Sequence, residues 1–307
     1  MWDSLKNGYQ TYLRLERNLS DNSVQAYLRD IHHLTTFLED YAPNLSVREL
    51  EKRHLKEFFK YLYDLNIAAN SQARIISGIK SFFRYLLLED IIDTDPTELI
   101  DTPKTGRKLP DTLSYDEISR LIEAIDLSTA EGERNKAIIE TLYGCGLRVS
   151  ELINMKLTNL FFDEGFIRII GKGDKERLVP IGPHAQNQIQ TYVEQVRTHL
   201  SIAKGHEDFV FLNRRGKQLT RVMIFTMIKQ LAEKAGLNKN ISPHTFRHSF
   251  ATHLVEGGAN LRAVQEMLGH QSITTTEIYT HLDRHFLRDT IRDYHPMSGK
   301  KARNSQD

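Results

Sequence analysis

Four short segments hold polar residues that an ordinary helical domain does not need. The first is Gly144-Cys145-Gly146-Leu147-Arg148-Val149-Ser150-Glu151-Leu152. Its glycines permit a tight backbone approach, and Arg148 stands among Leu147, Leu152 and Met155, whose apolar character marks them for a core. An arginine so bracketed must find a counter-charge, either Glu151 or the anion of a ligand. The second is Lys172, set between Gly171 and Gly173. The third is Ser242-Pro243-His244-Thr245-Phe246-Arg247-His248. Ser242 is an N-cap and Pro243 suits the first helical position, so His244 and Arg247 share one face of a first helical turn, where donors favour an anion. The fourth is Leu268-Gly269-His270-Gln271-Ser272-Ile273-Thr274-Thr275-Thr276-Glu277-Ile278-Tyr279. Gly269 reads as a helix stop, and Ser272 or Thr274 as the cap of the next helix, which carries Tyr279. Together these segments supply Arg148 and Arg247, Lys172, His244 and His270, and the Tyr279 hydroxyl. That is a phosphate-binding set with a nucleophile and proton carriers, and it has no carboxylate pair for a metal.

Each segment alone has a plainer reading. Arg148 and Glu151 are spaced as a helical ion pair. A glycine-flanked lysine at a turn ordinarily rests in solvent, and Tyr279 alone is a half-buried aromatic on a short helix. His244, His248 and His253 invite comparison with zinc ligands, but no Cys, Asp or Glu lies between 244 and 255 to complete a set. It is the joint occurrence of the four segments that favours phosphate chemistry.

The elements that must position them differ between the two parts of the chain. The first 90 or so residues read as helices and little else. Val24, Tyr27, Leu28, Ile31, Leu34 and Leu38 recur at helical spacing, as do Leu55, Phe58, Phe59, Leu62 and Leu65, and Ile75, Ile76, Ile79, Phe83 and Leu86. Ser20 and the Asn70-Ser71 pair are expected as N-caps. Asp93-Thr94-Asp95-Pro96 ends the last of these helices, and Pro103 to Pro110 carries proline, glycine and lysine without apolar period, as a linker does. Beyond it, Ser114 and Glu117 have capping-box spacing, and a second helix runs from about Glu133 to Tyr143. Residues 166–170 and 177–181 read as a hairpin with Lys172 at its tip, followed by helices over 184–200, 220–235, 243–257 and 260–268. The fold class expected is mainly α with a small β-sheet in the second domain. The boundaries are a helical domain over 1–92, a linker over 93–107, an α+β domain over 108–295 and a disordered polar tail over 296–307.

Composition narrows the setting without naming a partner. The chain has 307 residues, with 41 Lys+Arg against 40 Asp+Glu, so it is neither histone-like nor an acidic tail. Residues 1–106 hold 13 Lys+Arg against 16 Asp+Glu, leaving 28 against 24 in the remainder, where ten of the 13 histidines also lie. The cationic chemistry thus belongs to the second part. One cysteine, Cys145, excludes a disulfide framework and fits a reducing, cytoplasmic compartment. No signal peptide is visible, and apolar runs such as Tyr85-Leu86-Leu87-Leu88 fall far short of the roughly 18 residues of a membrane span.

Arg148, Lys172, His244-x-x-Arg247, His270 and Tyr279, in this order and in these contexts, resemble the signature of the tyrosine site-specific recombinases, the phage-integrase family. Gly-Leu-Arg-Val-Ser-Glu-Leu at 146–152, Gly-Lys-Gly-Asp-Lys at 171–175, His-Thr-Phe-Arg-His-Ser-Phe-Ala-Thr at 244–252 and Leu-Gly-His-Gln-Ser-Ile-Thr-Thr-Thr at 268–276 are especially similar to the bacterial Xer recombinases. The resemblance spans nearly the whole chain, and its first domain resembles the family's all-helical core-binding domain through Leu19-Ser20-x-Asn22-Ser23-x-x-x-Tyr27.

The resemblance implies a metal-free transesterification with no cofactor. Tyr279 would attack a DNA phosphodiester, Arg148 and Arg247 would hold the non-bridging oxygens, and His244 would relay the phenol proton. Lys172 would protonate the leaving 5′-oxygen and His270 would donate to the scissile phosphate, with Glu151 orienting Arg148 or neighbouring histidines. It further implies double-stranded DNA with a short inverted repeat as partner and a homo- or hetero-tetramer with a second Xer-type recombinase. A septal DNA translocase, conversion of chromosome dimers to monomers and no membrane association complete the expectation; an integrase of a mobile element is the alternative with the same chemistry. Leu282, Phe286, Leu287 and Ile291 form an apolar stripe after Tyr279, expected either to dock into a neighbouring protomer or to pack within its own chain.

Overall fold

Helical apolar stripes can be buried only against one another, and in the first part of the chain four helices do this. The computed structural model describes residues 2–101, 103, 111–171, 176–269 and 281–298, with the backbone alone over 281–285. The chain divides into two compact units, Met1–Lys108 and Leu109–Asp307. The first contains α1 (Trp2–Leu15), α2 (Asp21–Tyr41), α3 (Lys52–Asp64) and α4 (Ala69–Leu88). Its core joins Tyr9, Val24, Ile31, Leu34, Leu55, Phe58, Ile79, Phe83 and Leu86. Tyr9 packs edge-on to Phe82 with ring centroids 5.1 Å apart, and its hydroxyl donates to Ser81 Oγ at 2.8 Å, so these rings are core packing, whereas Tyr41, Tyr61 and Tyr63 are exposed.

Local chemistry sets the ends of these helices. Ser20 holds the N-cap position of α2, its hydroxyl shared with Ser23 Oγ at 3.0 Å. The expected cap of α4 is displaced: Ala68 is the N-cap, and Asn70 and Ser71 already lie in the first turn. The Ala68 carbonyl accepts from both the Ser71 and Gln72 amides, while Gln72 Nε2 donates back to Ile67 O at 2.7 Å. A side chain after the helix start thus secures the entry that a capping serine would otherwise make. Leu65, read as part of the α3 stripe, lies beyond that helix and is exposed. After α4 the chain stays on this unit, with Ile92 and Ile100 in the core and Lys80 Nζ donating to Ile100 O at 2.7 Å.

The second unit is built around one helix buried along most of its length. Here α5 (Tyr115–Glu123) opens with the Ser114–Glu117 capping box, and α6 (Ala130–Cys145) contributes Ala137, Ile138, Ile139, Leu142, Tyr143 and Cys145 to the core. Gly146 ends α6 in the left-handed region, and α7 (Val149–Ile153) follows at once. An antiparallel sheet comes next, in the order β1 (Leu160–Phe161), β2 (Phe166–Ile170), β3 (Glu176–Pro180), with Ile167 opposite Val179. The short β1 strand carries too little alternation to be seen in the sequence.

Three helices then close the core: α8 (Pro183–Gln195), α9 (Arg221–Lys234) and α10 (Pro243–Glu256). The helix expected over 184–200 ends at Gln195 and gives way to a 3-10 turn at Arg197–His199. There the Arg197 guanidinium turns inward to the carbonyls of Glu207 and Phe209. Next is α11 (Leu261–Leu268), stopped by Gly269 in the left-handed region as its position suggests. Last is α12 (His281–Tyr294), whose Leu287 and Ile291 are buried in the core of the same unit while Phe286 is exposed. Residues 296–298, expected in a disordered tail, form a 3-10 turn, because the Met297 amide donates to His295 Nδ1 and the Met297 side chain packs on the core. No described helix is long and apolar enough to cross a membrane.

Candidate active site

The end of α11 is the place where the sequence's two candidate arginines meet. A helix C-terminus leaves its last carbonyls without intrahelical donors and carries partial negative charge, so cations gather there. Here three different guanidiniums take three successive carbonyls. Arg177 Nε donates to Met267 O at 3.1 Å, Arg247 Nη2 makes a short bond to Leu268 O, and Arg148 Nη2 reaches Gly269 O at 3.4 Å. Arg247 is further fixed by Nη1 donating to Gly146 O at 2.7 Å.

Arg148 precedes α7 at its N-cap position, where its backbone N–H donates to Glu151 Oε2 at 2.8 Å. Its Nη1 donates to Glu151 Oε1 at 2.9 Å, so the ion pair read from the sequence is present. The remainder of this guanidinium faces solvent, the side chain being 38% exposed against 3% for Glu151. The same carboxylate also accepts a fork from Arg177, Nη1 to Oε1 at 2.8 Å and Nη2 to Oε2 at 2.9 Å. Glu151 therefore orients Arg148, as expected, and its other partner is Arg177.

Sequence reading had not singled out Arg177. Its signal was the period of the strand: in β3, residue 177 falls on the buried side with Val179, and a charged residue at an inward position must have a built partner.

Electrostatics follow from this packing. Burial works to raise the Glu151 carboxyl, but the hydrogen bonds and charges of Arg177, then Arg148, hold it below the ordinary carboxylate range. Burial pushes the Arg247 guanidinium down to about 10, and the positive charges of Arg148 and Arg177 add to the effect. Two guanidiniums thus bind one carboxylate and a third, Arg247, lies within reach of its charge, an excess of positive charge suited to a phosphate group.

His244 stands exposed on the first turn of α10, one turn before the buried Arg247. Lys172, His270 and Tyr279 lie outside the described residues. His253 shares a hydrogen bond with the Tyr143 hydroxyl at 2.8 Å and so belongs to the packing of α6 on α10. Among the described residues, no group of three or more His, Cys, Asp and Glu side chains is placed to hold a metal ion. Cys145 is fully enclosed, and burial pushes its thiol up to about 12, which leaves it without nucleophilic character.

Comparison with known proteins assigns the chain to a family. The profile of the phage integrase family matches residues 111–285, and that of the phage integrase N-terminal SAM-like domain matches residues 7–90. The chain is 43% identical over 287 residues to the tyrosine recombinase XerD of Oceanobacillus iheyensis, covering 94% of this chain and 96% of the relative. It is 43% identical over 297 residues to the XerD of Staphylococcus saprophyticus, covering 96% of this chain and 100% of the relative. Among solved structures, the Tn1549 transposon integrase in complex with circular intermediate DNA shares the fold with a TM-score of 0.72, at 21% identity over 92% of this chain and 97% of that one. The XerH recombinase bound to palindromic difH substrate does so with a TM-score of 0.69, at 24% identity over 90% of this chain and 81% of that one. With profiles over both units and relatives at this identity along nearly the whole length, the chain belongs to the phage integrase family, as an Xer-type tyrosine recombinase similar to XerD.

Proposed function

We propose that this recombinase cuts and rejoins double-stranded DNA at a short inverted-repeat site, with Tyr279 as nucleophile. The observation that supports it most is the meeting of Arg148 and Arg247 at the end of α11, on the successive carbonyls of Leu268 and Gly269. The Tyr279 oxygen forms a bond to the scissile phosphorus as the bond to the 5′-oxygen breaks, leaving a 3′-phosphotyrosine and a 5′-hydroxyl. A phenol is almost fully protonated at neutral pH, so its proton must pass to a base, the role of His244. Lys172 gives the proton that the leaving 5′-oxygen takes up.

Charge grows on the phosphorane oxygens, and two guanidinium forks that remain ionised stabilise it without a metal. His270 adds a hydrogen bond to the same phosphate. The phosphotyrosine bond keeps the energy of the phosphodiester, so the reverse attack by a 5′-hydroxyl reseals DNA with no nucleotide cofactor.

The wider reading follows from the same assignment. Residues 1–92 form the core-binding domain that clamps the duplex, residues 108–295 the catalytic domain, and 93–107 the linker. Four protomers, alone or with a second Xer-type recombinase, hold two sites and exchange strands. In the bacterial cytoplasm the task is the conversion of chromosome dimers to monomers at division, with a septal DNA translocase as activating partner.

A nicked suicide site tests the chemistry: wild type forms a covalent protein–DNA adduct and Tyr279→Phe forms none, whereas an adduct in the variant overturns the nucleophile. A footprint on a short inverted repeat near the chromosome terminus supports dimer resolution; protection of the ends of a mobile element points to an integrase instead.

A further inference from the structure

Arg177 and Arg148 both bind Glu151 and the α11 end, and Arg177 is the more buried of the two, its side chain being 9% exposed against 38%. Its whole fork is spent on acceptors within the protein. Both terminal nitrogens donate to the two oxygens of Glu151, and Nε donates to Met267 O. The site has also been shaped to admit it. A Cβ on Gly269 would stand 3.1 Å from Arg177 Cδ and 3.2 Å from its Nε, so the glycine leaves the lane through which the side chain passes.

The consequence for Glu151 is geometric. Each of its oxygens accepts one bond from Arg177 and one from Arg148, the latter pair being the Arg148 side chain and backbone amide. A carboxylate held only by the Arg148 bonds would be tied to that one residue and could shift together with it. Gripped from the opposite side by a bidentate fork, it is fixed in plane and direction. Arg177 also links three stretches that carry the proposed chemistry. It lies five residues after Lys172, it holds the partner of Arg148, and it takes a carbonyl three residues before His270.

We infer that Arg177 is a positioning residue of the strand-transfer site, fixing Glu151 and the α11 end so that Arg148 meets the scissile phosphate already oriented. This rests on the assignment of Arg148 to that phosphate. Arg177 acts through Glu151 and does not touch DNA. Its loss therefore lowers the rate of the chemical step and leaves DNA affinity, which depends on many phosphate contacts, nearly unchanged.

Ionisation supplies a readout that simple packing does not move. The charged groups facing Glu151 are Arg177 from β3, Arg148 from its own element and Arg247 from α10. Removing Arg177 takes away the largest influence that opposes burial, so the carboxyl rises. A protonated Glu151 loses its charge-assisted hold on Arg148, and the acid limb of the cleavage–pH profile moves to higher pH.

The experiment uses the full-length chain and a nicked suicide site under single-turnover conditions, with a gel-shift affinity and a melting temperature for every variant. Arg177→Gln is expected to slow adduct formation by about 100-fold with affinity changed less than about threefold. Its acid limb is expected to shift upward. Arg177→Lys, which keeps the stem and charge but not the fork, slows it by about tenfold and retains the fold should the glutamine variant lose it. In a cycle with Glu151→Gln, the double variant should be no slower than the slower single one. Wild-type cleavage in Arg177→Gln, fully additive effects in the cycle, or an unmoved acid limb overturns the inference. If Arg148→Lys also cleaves at the wild-type rate, the phosphate assignment itself falls; if only the Arg177 variants do, the assignment stands and this inference alone fails.

Discussion

Gly146 lies against the ring of Phe250 so closely that a Cβ on it would stand 2.4 Å from Phe250 Cδ1. Its backbone is also left-handed, with φ at 59°, which a side chain resists. The same residue offers its carbonyl to Arg247 and stands two positions before Arg148. One glycine thus sets the turn between α6 and α7, the packing of α10, and the seat of Arg148 and Arg247. Gly146→Ala should lower stability by about 2–4 kcal/mol, combining the left-handed penalty with an overpacked core. Urea denaturation gives the stability. The suicide-site assay below the melting transition should show a further loss of cleavage, because Arg247 loses its anchor.

Arg247→Lys should retain a positive charge and lose the chemistry. A lysine has three donors on one nitrogen, so bonds to Gly146 O and Leu268 O would leave a single donor and no fork for a phosphate. Cleavage should fall by about 100–1000-fold, the range for removing one transition-state donor, with DNA affinity little changed. Single-turnover adduct formation at saturating protein measures this. A variant within a factor of about three of wild type would remove Arg247 from the phosphate clamp.

Chelation should have no effect on cleavage. The positive charges of Arg148, Arg177 and Arg247 repel a divalent cation, and Glu151 has both oxygens committed to Arg148 and Arg177. Adduct yield with excess EDTA should match the untreated yield. Salt, in contrast, should weaken binding steeply, in proportion to the phosphates contacted.

The fold and the site differ in how far the sequence reveals them. Helix stripes such as Ile75, Ile76, Ile79, Phe83 and Leu86 predicted burial because period alone decides which face is apolar. The Ser114 box and the Gly269 stop were equally legible, being local backbone chemistry. The cap of α4 was missed because Gln72 secures the entry from inside the helix, which no cap pattern describes. At the site, Arg148, Glu151 and Arg247 stood out by type and spacing. Arg177 did not, because its partners lie 26 and 90 residues away and only a folded sheet brings them near.

Cys145 should be inert in the folded chain. It is fully buried in α6, and the loss of hydration disfavours its thiolate. A thiol reagent such as DTNB should label less than about a tenth of it without denaturant and all of it in urea. Rapid native labelling would mean that α6 opens far below the global unfolding transition.

The pH dependence of stability should carry two opposed contributions from one pocket. Glu140 and His295 line it together with Gly144, Gly182 and Ile291. Burial pushes the Glu140 carboxyl up to about 7, with Lys136 opposing only in part. Its folded value is raised, so its stabilising contribution is complete below the ordinary carboxylate range and is lost as pH rises towards 7.

Burial pushes the His295 imidazole down to about 3, and its Nε2 has no hydrogen-bond partner among the described residues. That folded value is depressed, so the contribution is complete above the ordinary imidazole range and is lost as pH falls towards 3. The wild-type melting temperature should therefore peak in mild acid, between the two losses. Glu140→Gln keeps the shape without the charge. It should gain about 1–2 kcal/mol over wild type at pH 8 and nothing below about pH 4.5. His295→Phe should gain at pH 5 and lose slightly at pH 8, where the Met297 amide no longer finds Nδ1. Melting curves across pH 4.5–8.5 separate the two: a Glu140→Gln curve parallel to wild type all the way from pH 4.5 to 7 would show that the carboxyl ionises freely in the fold.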